Sequence, residues 1–229
     1  EYIQPLRQLL QNLPKHRGMS NAYLSGDRDF KPRILEKQGE IEKIIASIPS
    51  LERERGDFLH TQSRSTSVIG EWAKLKQDLF GLEPKVAFAR HTAWINDLIN
   101  LIKHVGDNSA LIVDGNQSRH YLVDLLINRI PAVCEYLGQI RGMGAGIAAR
   151  GEFASGQRDR LTDLFSSARV LFNEMDQAVK LLYRHDARLK LLLEKSVAKS
   201  NDSRMVFFEA VRSGDRKSTR LNSSHVSQS

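Results

Sequence analysis

A single cysteine, Cys134, occurs among the 229 residues, so no disulfide can form within the chain. It lies in an apolar stretch and is expected to be a small buried hydrophobe. Aromatic residues make up only 7%, and no block of lysine and arginine is interleaved with them. Nucleic-acid platforms need that interleaving, so nucleic acid is excluded as a partner. No run of about 18 apolar residues occurs, so no segment reads as a membrane-spanning helix. Sustained alternation of apolar and polar residues is also missing, which predicts no sheet. There is no glycine-rich phosphate loop behind a strand, no His-Glu-x-x-His and no nucleophile elbow. His16, His60, His91, His104, His120 and His185 are scattered without metal-ligand spacing. His120 and Asp124 are four apart and are expected to pair on a helix surface. No two acids stand out as bracketing a cleft. The chain therefore reads as a non-enzyme, with no cofactor and no metal.

What is present is charge of both signs, 27% of the residues, with a net of +7. Acids and bases are mixed, as in Glu52-Arg53-Glu54-Arg55. A mild positive field of this kind suits an anionic ligand or an anionic membrane surface. Helical periodicity dominates the rest. Phe88, His91, Ile95, Leu98, Ile102 and Val105 recur at spacings of three and four, and so do Leu161, Leu164, Phe165, Ala168, Leu171, Phe172, Met175, Val179 and Leu182. Such stripes mark amphipathic helices that share a core. They predict helices near 2–12, 15–25, 30–47, 51–60, 66–80, 85–106, 118–150, 158–195 and 200–212. The 158–195 stretch would be about 57 Å long at 1.5 Å per residue. Pro14 and Pro131 should kink a helix or start one. Gly106 is expected to cap one helix, and Asp114-Gly115-Asn116 to turn the chain into the next.

One triplet occurs twice. Arg17-Gly18-Met19 follows Leu13-Pro14-Lys15-His16 and runs into Ser20, Asn21 and Ala22. Arg141-Gly142-Met143 follows Pro131 at greater distance and runs into Gly144, Ala145 and Gly146. Two arginines beside small residues on helices suggest two halves that face each other and grip one small anion. Arg17, Ser20, Asn21 and Leu24 share a face, so a guanidinium flanked by hydroxyl and amide groups could hold a planar oxyanion by parallel hydrogen bonds. Arg141, Gly144 and Ala145 would present the second guanidinium. Two such arginines repel until an anion bridges them, so removing either should not lower stability. Gly142, Gly144 and Gly146 weaken a helix by about 1 kcal/mol each relative to alanine. Close helix approach or backbone lining a ligand pocket would offset that, whereas a pure scaffold would favour alanine.

The run His16-Arg17-Gly18-Met19 with Tyr23-Leu24-Ser25-Gly26-Asp27 resembles the nitrate- and nitrite-sensing (NIT) domain and its relatives. So does Pro131 followed by Glu135-Tyr136-Leu137-Gly138-Gln139-Ile140-Arg141-Gly142-Met143-Gly144. Phe88-Ala89-Arg90-His91-Thr92 and residues 108–114 are similar to the same receptor group. The resemblance spans roughly residues 5–195. It implies an all-helical pair of bundles whose arginines bind nitrate or nitrite, in bacterial chemoreceptors, histidine kinases and diguanylate cyclases. On that basis Arg17 and Arg141, with His16, Ser20, Asn21 and Gly144, are the expected ligand-binding residues.

The expected fold is all-α, with elongated up-and-down helical bundles in two similar halves, 1–106 and 118–212, joined at 107–117. Residues 213–229 are set aside as a disordered or artefactual tail, because 215–225 read like a translated sequencing adapter. Glu1 is not an initiator methionine, so the chain is expected to be a piece of a longer protein. A membrane attachment through segments outside this chain, a periplasmic position and a homodimer complete the expectation, with a cytoplasmic position second. The rival reading is a helical protein-interaction module without a small ligand.

Overall fold

The computed structural model describes residues 1–109 and 117–226, with side chains through Glu209. The helices are α1 (Ile3–Leu24), α2 (Lys31–Ile45), α3 (Ile48–Leu59), α4 (Gln62–Asp78), α5 (Pro84–Asn108), α6 (Gln117–Asp124), α7 (Ile130–Arg150), α8 (Gln157–His185) and α9 (Ala187–Val226). No strand occurs among the described residues, so the expected all-α class holds. None of the described helices is long and apolar enough to cross a membrane. The described chain forms two compact units, residues 1–181 and 182–229. Most of the expected 107–117 connection, including the Asp114-Gly115-Asn116 turn, lies outside the described residues.

Within the first unit, α1 is the central element. It packs most extensively on α7, then on α5 and α2. Leu6, Leu9 and Leu13, at spacings of three and four, are fully buried. Burial of each such side chain stabilises the fold by roughly 1.5–3 kcal/mol. They meet Ile41, Ile48, Trp72, Leu75, Trp94, Ile95, Leu98 and Ile102 in one core. A smaller cluster forms where Ile34, Leu79 and Ala87 pack against Met19, Tyr23 and Phe30. The periodic stripe of α5 points inward as expected, with His91, Ile95, Leu98, Ile102 and Val105 all buried.

Several local expectations change. The helices expected at 2–12 and 15–25 are one helix, because Pro14 is tolerated inside α1. Pro131 instead stands in the first turn of α7, directly behind a π-helical segment at Leu125–Arg129. The helical backbone runs unbroken from Gln117 to Arg150, and the wider π-helical turn lies where the missing N–H of Pro131 interrupts the regular hydrogen-bond ladder. Gly106 is no left-handed cap. It lies inside α5, where an added Cβ would come within 2.9 Å of Ile127, and Ser109 follows as the capping residue. In the second unit, the helix expected to run unbroken over 158–195 is interrupted at Asp186. Its carboxylate accepts the backbone N–H groups of Arg188 and Leu189 and so starts α9. The backbone of α9 continues to Val226, through residues that the sequence alone set aside.

Candidate functional site

The two triplets meet. Gly18 of α1 and Gly142 of α7 oppose each other so closely that a Cβ on either would lie 3.6 Å from the Cα of the other. The contact is flanked by two further α7 glycines. A Cβ on Gly138 would stand 2.9 Å from both the Pro14 ring and the Arg17 guanidinium, and one on Gly146 would overlap the Asn21 amide. Glycine is required at Gly138, where a Cβ would strike the Pro14 ring, and at Gly142, where one would press on the Phe88 ring at 3.1 Å; at Gly18 a Cβ would make ordinary contact. The expectation that a scaffold prefers alanine fails for that reason. Gly144 is different: it is exposed, and a Cβ there meets nothing within 4 Å.

The two arginines emerge from this crossing into unlike surroundings. Arg17 is fully buried. Its Nη1 and Nη2 donate to Oε1 and Oε2 of Glu135 on α7, at 2.6 and 3.1 Å, a two-pronged charge-assisted pair. Nη1 also donates to Thr92 Oγ1 at 2.9 Å, and the guanidinium lies 4.9 Å from the centre of the Phe88 ring. Its Nε has no partner, nor does the buried Oγ of Ser20, three residues on. Gln139 donates to Glu135 Oε1 at 2.8 Å. Burial pushes the Glu135 carboxyl up, and the pull of Arg17 does not fully restore it. The expected repulsion between two unmatched arginines is therefore absent at Arg17, whose charge Glu135 neutralises.

Arg141 is exposed. It lines an open pocket of about 390 Å³ between α1, α2 and α7, together with Lys15, Arg33, Lys37, Glu36 and Glu40. Lys37 is tied to Glu40 and to Asn12. Arg33 lies over the Phe30 ring, which also lines the pocket. Asn21 turns away from the arginines and donates to the Gly142 carbonyl at 2.8 Å, bracing the crossing.

His16 is fully buried, and its Nδ1 lies 2.8 Å from Nε2 of His91. The hydrogen positions follow from the end of the chain. The Ala87 carbonyl can only accept, so His91 Nδ1, at 2.7 Å, carries a proton. His91 Nε2 must then accept from His16 Nδ1, and His16 Nε2 accepts from the Gln38 amide at 3.4 Å. This assignment is that of neutral rings, and burial keeps both rings neutral. Burial holds His16 well below the usual imidazole range, with the nearby His91 adding to the effect. It also lowers His91 to about 4, aided by the Arg17 charge. Among the described residues, no group of three His, Cys, Asp or Glu side chains could hold a metal.

Two sequence expectations are corrected here. Cys134 is exposed on α7 rather than buried. Asp124 accepts from Asn128 and Arg129 instead of pairing with His120, whose ring packs on Tyr121. Glu135 was not singled out as a functional residue, although it lies inside the second motif. The 88–92 segment, read as the start of a helical stripe and for its resemblance, supplies Phe88, His91 and Thr92 to the wall around Arg17 and His16.

No curated protein and no solved structure matches the chain significantly. A family model described as nitrate and nitrite sensing matches residues 8–185, a stretch holding both triplets, their glycine crossing and the Arg17–Glu135 pair. This is a family of sensor domains rather than of catalysts, and by that match over most of its length the chain belongs to the NIT family.

Proposed function

We propose that the chain is the ligand-sensing part of a bacterial transmembrane receptor of chemoreceptor or sensor-kinase type, and that its ligand is nitrate or nitrite. The observation that carries this is the position of Arg17: a fully buried guanidinium at the glycine crossing of the two motif-bearing helices. A planar oxyanion matches its fork, and the unpartnered Nε and Ser20 Oγ offer further donors. Arg141 lines its pocket with Lys15, Arg33 and Lys37 against Glu36 and Glu40, a net positive lining that draws an anion toward the same crossing. His16 and Asn21 fix α1 in register, and Gly144 keeps the α7 surface open beside Arg141. Because the crossing is backbone on backbone, an anion that alters it shifts how α1 and α7 pack, which is a sensor's output. The domain would lie in the periplasm as a homodimer, tethered by membrane segments outside this chain.

Titration calorimetry with nitrate, nitrite and small carboxylates tests the site. Arg17→Ala and Arg141→Ala should each weaken binding by about 1.5–3 kcal/mol, the range for hydrogen bonds to charged groups. Arg17→Lys is the cleaner variant, since it keeps a cation for Glu135 but loses the planar fork, and it too should weaken binding. Unchanged affinity in all three would make the arginines purely structural. Placement is tested separately by reporter fusions to the complete gene; activity of a cytoplasmic reporter fused within 1–212 would rule out the periplasmic position.

A further inference from the structure

Glu135 sits on Arg17 as a bound oxyanion would. Its two oxygens take one N–H from each terminal nitrogen, the same pair of donors that nitrate, nitrite or a small carboxylate would use. The guanidinium is enclosed by Phe88, Thr92, Gly138 and Gly142, so the fork has room for one planar acceptor, not two. The carboxylate arrives from α7 and the cation from α1, so their pair is an ionic tie across an otherwise backbone-on-backbone contact.

We propose that the anion exchanges with Glu135 on Arg17, and that the displaced carboxyl takes up one proton. This rests on the reading of Arg17 as the ligand's seat, and adds how that seat is regulated. Written in full, the Arg17 cation paired with the Glu135 anion, plus one ligand anion and one proton, gives Arg17 paired with the ligand and a neutral Glu135 acid. Charge is conserved within the buried site. The proton is required because nothing else can match the carboxylate. Its side chain is only 4% exposed. From α1 it faces Arg17 alone. On its own helix it has the Gln139 amide and, next in sequence, the Cys134 thiol. From α5, Thr92 touches Arg17, and His91 is neutral beside it. From α8, Arg160 reaches Gln139 Oε1 at 3.5 Å and not the carboxylate. A freed carboxylate would therefore lie buried beside a second anion, and both burial and like charge favour its protonation. Burial already biases this carboxyl toward the acid form while Arg17 is in place.

Two consequences follow. The association constant for the anion rises by up to about tenfold for each unit that the pH falls, the limit for uptake of one proton. Ligand binding also cuts the ionic tie between α1 and α7, which frees the glycine crossing to move.

The test is calorimetric titration of nitrate and of nitrite into the folded protein at pH 7, in buffers of different ionisation enthalpy, repeated on Glu135→Gln. Wild type should take up close to one proton per anion. Glu135→Gln should bind more tightly, with no proton uptake and no pH dependence between pH 6 and 8, because a neutral amide competes poorly for the guanidinium. Binding by wild type without proton uptake overturns the exchange and leaves anion sensing intact. Binding by neither protein, with both folded by circular dichroism, overturns the sensing reading as well. If Glu135→Gln does not fold, the wild-type proton count decides the exchange alone.

Discussion

Arg17→Ala lowers the unfolding free energy by about 3–5 kcal/mol, the cost of removing one partner from a buried ion pair. The reason is not the lost attraction. Arg17 is fully buried and the Glu135 side chain nearly so, so truncating the cation strands a carboxylate where water cannot reach it. The loss should shrink as the pH falls, because protonating Glu135 removes the stranded charge. Replacing both partners with apolar residues of similar length, as Arg17→Met with Glu135→Leu, should recover most of the loss, since neither charge then needs a partner. Urea unfolding of the wild type, both single variants and the pair gives the coupling directly. If Arg17→Ala and wild type unfold at the same denaturant concentration, the pair does not form in solution.

Acid destabilises the protein over a second, distinct range. His16 and His91 are neutral in the fold and ionise freely once unfolded. The unfolded chain takes up protons as the pH drops below about 6.5, while the folded His91 holds out until about 4. Stability is thus fully present above 6.5, is lost through that window, and levels off below it. A depression of that size corresponds to about 3 kcal/mol for His91 at 1.36 kcal/mol per unit. His16 adds loss of the same sign. Glu135 opposes both, because its raised carboxyl takes up a proton more readily in the fold, so the net fall is smaller than the two rings alone would give. Chemical denaturation at pH 7.5 and at pH 4.5 measures it. Equal stability at the two values would mean that the rings are not buried neutral groups.

The helices were legible because each apolar stripe repeats at three and four residues, which the α5 positions His91 to Val105 follow without exception. Breaks were harder. Pro14 reads as an interruption, yet α1 runs through it, since packing on α5 and α7 outweighs one lost hydrogen bond. Asp186 has no apolar signal at all; only its side-chain oxygen, turned onto two backbone N–H groups, ends one helix and begins the next. At the site, the triplets pointed to the right helices and the right crossing. They did not show what meets Arg17, because its partner is 118 residues away and no local spacing encodes that pairing. The same holds for His16 and His91, 75 residues apart, which look scattered in sequence and touch in the fold. The glycines were read as either tight approach or open backbone, and both occur: Gly142 and Gly146 are tight, Gly144 is open.

The chain's two tryptophans give the molecule an optical property of its own. Trp72 and Trp94 stack with ring centres 5.1 Å apart, and the His16 ring meets Trp72 edge-on at 5.2 Å. All indole absorption and emission therefore arise at one place, against α1, one residue along the chain from Arg17. Two transition dipoles at that distance couple, and an imidazole at the edge of one of them quenches when it becomes charged. A rotation of α1 changes the angle of that edge contact directly, because His16 is carried on α1. The colour and brightness of the protein's own ultraviolet emission thus record the position of a single helix, with no label attached.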